Sequence, residues 1–183
     1  MPDTRPESER DDDVVASLAV TLDGYVCRLD GSVDYLDKYG GTGDSFEVWA
    51  SRVGALVMGS TSFVQAAGWG WMWGERPTLV LTSSVGLPVP DGANVTFRAA
   101  PTAEAISDFA AETPGRTWVF GGGSVVTAGL LGGAVDTLDI TIMPEAIGEG
   151  IPLFAEPYDG PMRVIATDTY DYGGIRVVYD TST

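Results

Sequence analysis

The stretch of this sequence richest in chemical possibility is Val119-Phe120-Gly121-Gly122-Gly123-Ser124-Val125. An apolar run ends in three glycines, and a helix-compatible run begins. Glycines let the backbone come close to a ligand and turn its N–H groups outward. A helix N-terminus adds a partial positive charge. Together they make an anion site suited to a pyrophosphate, with no basic side chain required. The same residues also fit a tight strand-to-helix turn that holds no ligand. The run is neither Gly-x-Gly-x-x-Gly nor a Walker loop. Met58-Gly59-Ser60-Thr61 and Leu81-Thr82-Ser83-Ser84 repeat the pattern in milder form. Each alone is ordinary cap or turn chemistry. In an open α/β sheet, however, ligands lie beyond the carboxyl ends of the strands. Three such ends can line one extended cofactor.

What the sequence lacks narrows the chemistry further. There is no His, so Ser-His-Asp catalysis, Cys-His catalysis and His-ligated zinc are excluded. Cys27 is the only cysteine and can form neither an internal disulfide nor a cysteine cage. Such usage fits a cytoplasmic protein. The formal net charge is −16, with Lys38 the only lysine. That charge repels nucleic acid and anionic membrane surfaces. It suits either a high-salt habitat or a genome that favours Arg, Ala and Gly codons. No apolar run approaches a membrane span, and the polar N-terminus does not read as a signal peptide.

The elements that must position these residues follow from patterning. Residues 1–12 read as a disordered acidic tail and 13–183 as one domain. Val14 to Val20, Ala55 to Met58, Thr78 to Leu81, Trp118 to Phe120 and Thr137 to Met143 read as buried strands. Asn94 to Arg98 reads as an edge strand. Residues 28–43 read as a long functional loop. Asp44 to Val53 reads as a helix with Phe46, Trp49, Ala50 and Val53 on one face and an Asp44-x-x-Glu47 capping box. Ser60 or Thr61 caps a short helix, Thr102 caps another, and Val125 to Leu131 forms a third. Arg163 to Tyr170 and Ile175 to Tyr179 form a closing antiparallel pair. The order predicts an α/β fold: a mostly parallel central sheet, helices on both faces, and a C-terminal antiparallel hairpin. Trp69, Trp71 and Trp73 fit either a wall over a substrate ring or a dimer contact. Asp23, in the Asp23-Gly24 turn, is a candidate acid as well as a turn residue.

Val15 to Gly24, Met58-Gly59, Thr78 to Ser83 and Val119 to Val125 stand in the order and spacing of the dihydrofolate reductase fold. Thr21-Leu22-Asp23-Gly24-Tyr25-Val26, Asp30-Gly31-Ser32-Val33-Asp34-Tyr35-Leu36 and Gly148-Glu149-Gly150-Ile151-Pro152-Leu153-Phe154 carry a narrower likeness. They resemble the reductase domain of the bifunctional riboflavin-biosynthesis deaminase–reductase. The resemblance covers roughly residues 14–180.

The resemblance implies an NADPH-dependent reductase that works as a homodimer on a small pyrimidine-like, pterin-like or ribosylamino-pyrimidine substrate. It puts Phe120, Gly121, Gly122, Gly123, Ser124 and Val125 at the cofactor pyrophosphate. Gly59, Ser60, Thr61, Thr82 and Ser83 fall at the adenosine half, and Ala19 beside the nicotinamide. Thr141 and Trp49 fall on the substrate side. Asp44, 15 residues before Gly59, falls near the carboxylate that binds the pterin ring. Ser60 stands where the family usually has the Arg that pairs with the 2′-phosphate, so NADH is the second cofactor reading. Ser83, Thr61 or Arg98 could compensate. No zinc-bearing deaminase domain is implied on this chain, and no metal. A repurposed nucleotide-binding protein on the same fold and a dihydrofolate reductase are the alternatives.

Overall fold

The computed structural model describes residues 13–39, 48–99 and 103–182. Eight strands form one sheet: β1 (Val14–Thr21), β3 (Val53–Gly59), β4 (Thr78–Leu81), β5 (Val95–Arg98), β6 (Arg116–Gly121), β7 (Thr137–Met143), β9 (Arg163–Thr169) and β10 (Ile175–Asp180). Their spatial order is β5-β4-β3-β6-β1-β7-β10-β9. The strands from β5 to β7 run parallel, and β10 turns antiparallel between β7 and β9. The helices α1 (Ser60–Gly68), α2 (Ala103–Glu112) and α3 (Gly123–Leu131) accompany them. A small antiparallel ribbon pairs β2 (Tyr25–Cys27) with β8 (Ile151–Pro152).

Strand alternation sorts the core onto two faces. Ala16, Ala55, Val57, Leu79, Val119 and Leu138 point to one face, where Ile106 and Phe109 of α2 and Val125, Val126 and Leu130 of α3 cover them. A Cβ at Gly132 would lie 2.1 Å from the Cβ of Ala103, so the glycine lets these two helices meet. Leu56, Met58, Val80 and Trp118 point to the other face, with Phe63 of α1 and Trp73. At the N-terminal edge of the sheet Arg116 donates to Asp13 at 2.9 Å, both side chains almost wholly buried.

The sequence reading agrees with β4 and β7 to the residue, and several local expectations need correction. Residues 28–43 are not all loop, because Asp34–Tyr39 forms a 3-10 helix. Gly59, not Ser60 or Thr61, is the N-cap of α1, since β3 runs on through Gly59 and no side chain caps the helix. α3 starts at Gly123 rather than Val125. Residues 48–51 are helical, but Val53 belongs to β3 and is buried there. The Asp44–Glu47 box and the Thr102 cap lie outside the described residues.

Candidate functional site

The ends of β3, β4 and β6 meet at one edge of the sheet. Met58 pairs with Gly121, and Gly59 pairs with Leu81. A Cβ at Gly59 would touch Val125 Cγ2 at 3.4 Å. The Ser62 hydroxyl, on the first turn of α1, faces both Gly121 and Gly122. The residues expected at the cofactor are therefore brought together.

The three glycines have different causes. Gly121 has φ 131°, a conformation that side chains rarely adopt. A Cβ at Gly123 would lie 2.4 Å from the Pro152 carbonyl oxygen, so close packing against β8 demands glycine there. Gly122 differs from both: a cis peptide bond joins it to Gly121, its φ is −82°, and an added Cβ would have only Ser62 Oγ nearby, at 3.9 Å. It is also the N-cap of α3, and no side chain caps the helix. Ser, Asp and Asn normally fill that role. The Val125 and Val126 N–H groups donate to the Gly122 carbonyl, so those of Gly123 and Ser124 are the ones the helix itself does not use, and with the glycine backbone they form a cradle that has the helix dipole behind it. Ser124 is exposed at its lip, while Val125 is buried beneath it. The Phe120 backbone leads into the cradle, and its ring packs on Trp118 at 4.7 Å.

The residues expected on the adenosine side flank the cradle. Thr61 packs on Gly31, and Gln65 of α1 donates to the Gly31 carbonyl, which ties the loop after β2 to the helix. Thr82 Oγ1 accepts from the Ser84 N–H at 3.0 Å, while Ser83 is exposed. Arg98, far away in sequence, pairs in register with Leu81, so it stands at this same edge. Its guanidinium is 3.8 Å from Asp108.

Ala19 and Thr141 face each other directly across β1 and β7. Tyr35 secures this part of β1. Its hydroxyl donates to the Val26 carbonyl at 3.0 Å and lies 3.4 Å from that of Ala19. Burial pushes this phenol well above its ordinary pKa, so it stays a donor. Trp49 packs edge-on against Trp118, ring centres 4.7 Å apart. Trp118 Nε1 donates to the Ser17 carbonyl, extending an aromatic wall beside β1. Trp73 is buried in that wall and Trp71 packs on Phe63, so only Trp69 of the three remains largely exposed.

Asp23 is committed elsewhere. Its carboxylate accepts from Thr21 Oγ1 at 2.6 Å and from the N–H groups of Gly148 (2.8 Å) and Ile147 (3.1 Å). These donors, the Thr21 hydroxyl first, hold its pKa below the ordinary value. It clamps the β1–β2 turn to the loop after β7 and offers no proton near neutrality. Asp44 lies outside the described residues. Sequence reasoning missed Ser62, Tyr35 and Arg176. Their roles depend on strand register and helix placement rather than on any local motif. Among the described residues no His/Cys/Asp/Glu group could hold a metal ion. No helix among them is long and apolar enough to cross a membrane.

Comparison with solved structures names this architecture. The chain superposes on dihydrofolate reductase from Enterococcus faecalis, complexed with NADP(H) and RAB-propyl, with a TM-score of 0.67. Identity is 21%, over 93% of this chain and 96% of that one. The chain has the dihydrofolate reductase-like fold. A Shewanella sp. PV-4 protein provisionally assigned to riboflavin biosynthesis shares that fold, with a TM-score of 0.75 and 23% identity over 92% of this chain and 98% of that one. The uncharacterized protein YwjB of Bacillus subtilis is 29% identical over 148 residues, 78% of this chain and 82% of its own. No family model matches the chain. Reductases of folate and of the riboflavin pathway thus share this dihydrofolate reductase-like fold with the chain.

Proposed function

We propose that the protein is a nicotinamide-dependent reductase of a small pyrimidine-like or pterin-like substrate, with NADPH as its cofactor. The observation that carries this reading is the start of α3, where Gly122 is the N-cap, no side chain caps the helix, and an added Cβ would have only Ser62 Oγ nearby. An open cradle of backbone N–H groups fits a pyrophosphate. The Enterococcus faecalis neighbour, described with NADP(H), supports the cofactor class.

On this reading residues 121–125 bind the pyrophosphate, with the Ser62 hydroxyl at the side. Thr61, Thr82 and Ser83 border the adenosine half. Arg98 supplies the charge for a 2′-phosphate, the task that Ser60 cannot perform. When bound, the dinucleotide would supply a hydride to a C=N or C=O carbon. The chain's part is to orient. Tyr35 fixes the β1 backbone at Ala19, whose small side chain leaves room for a flat ring. The Thr141 hydroxyl holds the substrate edge opposite. The Trp49–Trp118 wall keeps water from one side. With Asp23 tied into its clamp, Asp44 is the carboxylate we assign to substrate protonation. The chain works as a cytoplasmic homodimer on this reading, which light scattering checks.

Titration with NADPH and with NADH, read by tryptophan fluorescence, tests the proposal. Quenching by NADPH at micromolar concentration is expected. No quenching by either at millimolar concentration overturns it. Binding without turnover, in a chain where Asp44→Asn changes nothing, would favour the nucleotide-binding alternative instead.

A further inference from the structure

On the sheet face that carries Trp118, the register sets Ala19, Thr141, Arg176 and Asp168 in one row across β1, β7, β10 and β9. Three strand spacings make that row about 14 Å long. That length suits a heterocycle with a short tail. Asp139 grips Arg176 with two parallel bonds, at 2.9 Å to Nε and 2.8 Å to Nη2. Asp139 is itself 5% exposed, so this pair is fixed. Asp168 takes Nη1 at 2.9 Å through Oδ2, while its side chain remains 56% exposed. Its Oδ1 accepts nothing from the described residues. Beyond it, Tyr170 stacks on Tyr172 with rings 5.1 Å apart and 7° from parallel, and Tyr39 closes on Tyr172 at 5.3 Å.

One guanidinium therefore answers to two carboxylates, which leaves an excess of negative charge. The other cations at this rim are also matched: Lys38 by Glu145 and Arg28 by Asp34. A phosphate laid along the row would meet two carboxylates and no unmatched positive charge. A hydroxyl or amine would meet a carboxylate oxygen held in place by Arg176, with tyrosine rings alongside.

We propose that the Arg176–Asp168 end of this row sets substrate specificity. It selects a tail that is uncharged or cationic and donates O–H or N–H groups, and it rejects a phosphorylated one. The proposal rests on Ala19 and Thr141 marking the reacting end. It narrows the substrate class to unphosphorylated amino-heterocycles.

Calorimetric titration of the full chain with a ribosylamino-pyrimidine, and with its 5′-phosphate, decides the matter. NADPH binding is measured first. If it fails, the reductase reading falls, and the two probes are compared on the cofactor-free chain. The unphosphorylated probe should bind at least about ten-fold tighter at low salt, because like charges at close range oppose binding. Asp168→Lys, at an exposed position on the edge strand, should shrink or invert that preference. Asp168→Asn should fall between Asp168→Lys and the native chain. A phosphorylated probe that binds equally well overturns the proposal. So does a preference untouched by Asp168→Lys, or no binding of either probe at millimolar concentration.

Discussion

The two halves of the open sheet edge are built by opposite means. Around the ends of β3, β4 and β6, the chain offers backbone: glycines, an uncapped helix start and small hydroxyls. Around β1, β7, β10 and β9 it offers charged side chains locked to one another across strands. The backbone half needs no basic side chain, because a helix dipole and N–H groups come from the main chain. The side-chain half is where acidity becomes selectivity. A protein poor in bases can still hold a polyanionic cofactor if it separates these two tasks in space.

The comparison breaks most visibly at Gly122. Gly122→Asp would supply α3 with its own carboxylate cap, worth about 1 kcal/mol to the helix. It would also put negative charge where the pyrophosphate belongs. In a variant whose circular dichroism shows it folded, NADPH affinity should fall at least about 100-fold, equal to about 2.7 kcal/mol. Unchanged affinity in a fluorescence titration would remove the cradle from the site.

A smaller effect is expected at Arg98, the one strong side-chain charge assigned to the backbone half. Arg98→Ala should weaken NADPH by about ten-fold and leave NADH unaffected, as loss of a single charged contact would do. Equal weakening of both cofactors would deny it the 2′-phosphate.

The smallest effect separates the halves by pH. The folded pKa of Asp23 is lowered, so its clamp contributes fully above the unfolded value. That contribution is lost as pH falls through the lowered one, below about 4. Glu145, held down by Lys38 and Tyr39, behaves alike. Amide protection of Ile147 and Gly148 should drop there. That of Val125 and Val126, whose N–H groups donate to the Gly122 carbonyl, should not. Parallel loss in both places would show that the halves are not independent.

The backbone half was legible in the sequence because its signals are local. A strand, three glycines and the start of a helix lie within Val119–Val125, and β4 announces itself as Thr78 followed by three apolar residues. Even there the limits were set by pairing. β3 extends to Gly59 because Leu81 and Gly121 continue the ladder, which displaces the expected Ser60 or Thr61 cap. The side-chain half was mostly hidden. Thr141 and Arg176 meet only through antiparallel register between strands distant in sequence, and no spacing rule reveals that. Asp23 looked like an available acid because its acceptor role depends on Ile147 and Gly148, more than a hundred residues away. The Trp69-Gly70-Trp71-Met72-Trp73 run looked like a single feature, yet the sheet buries Trp73 and leaves Trp69 outside.

Gly123 has a further consequence. Pinned beneath the Pro152 carbonyl, it joins the start of α3 to the β2–β8 ribbon. Thr127 strengthens the joint by donating to Gly123 and accepting from the Ala155 N–H. Leu153 in turn donates to Gly24, in the turn that Asp23 clamps. A cradle triangulated in this way is shaped before its ligand arrives. On the proposed reading, little of the binding free energy would go into ordering it.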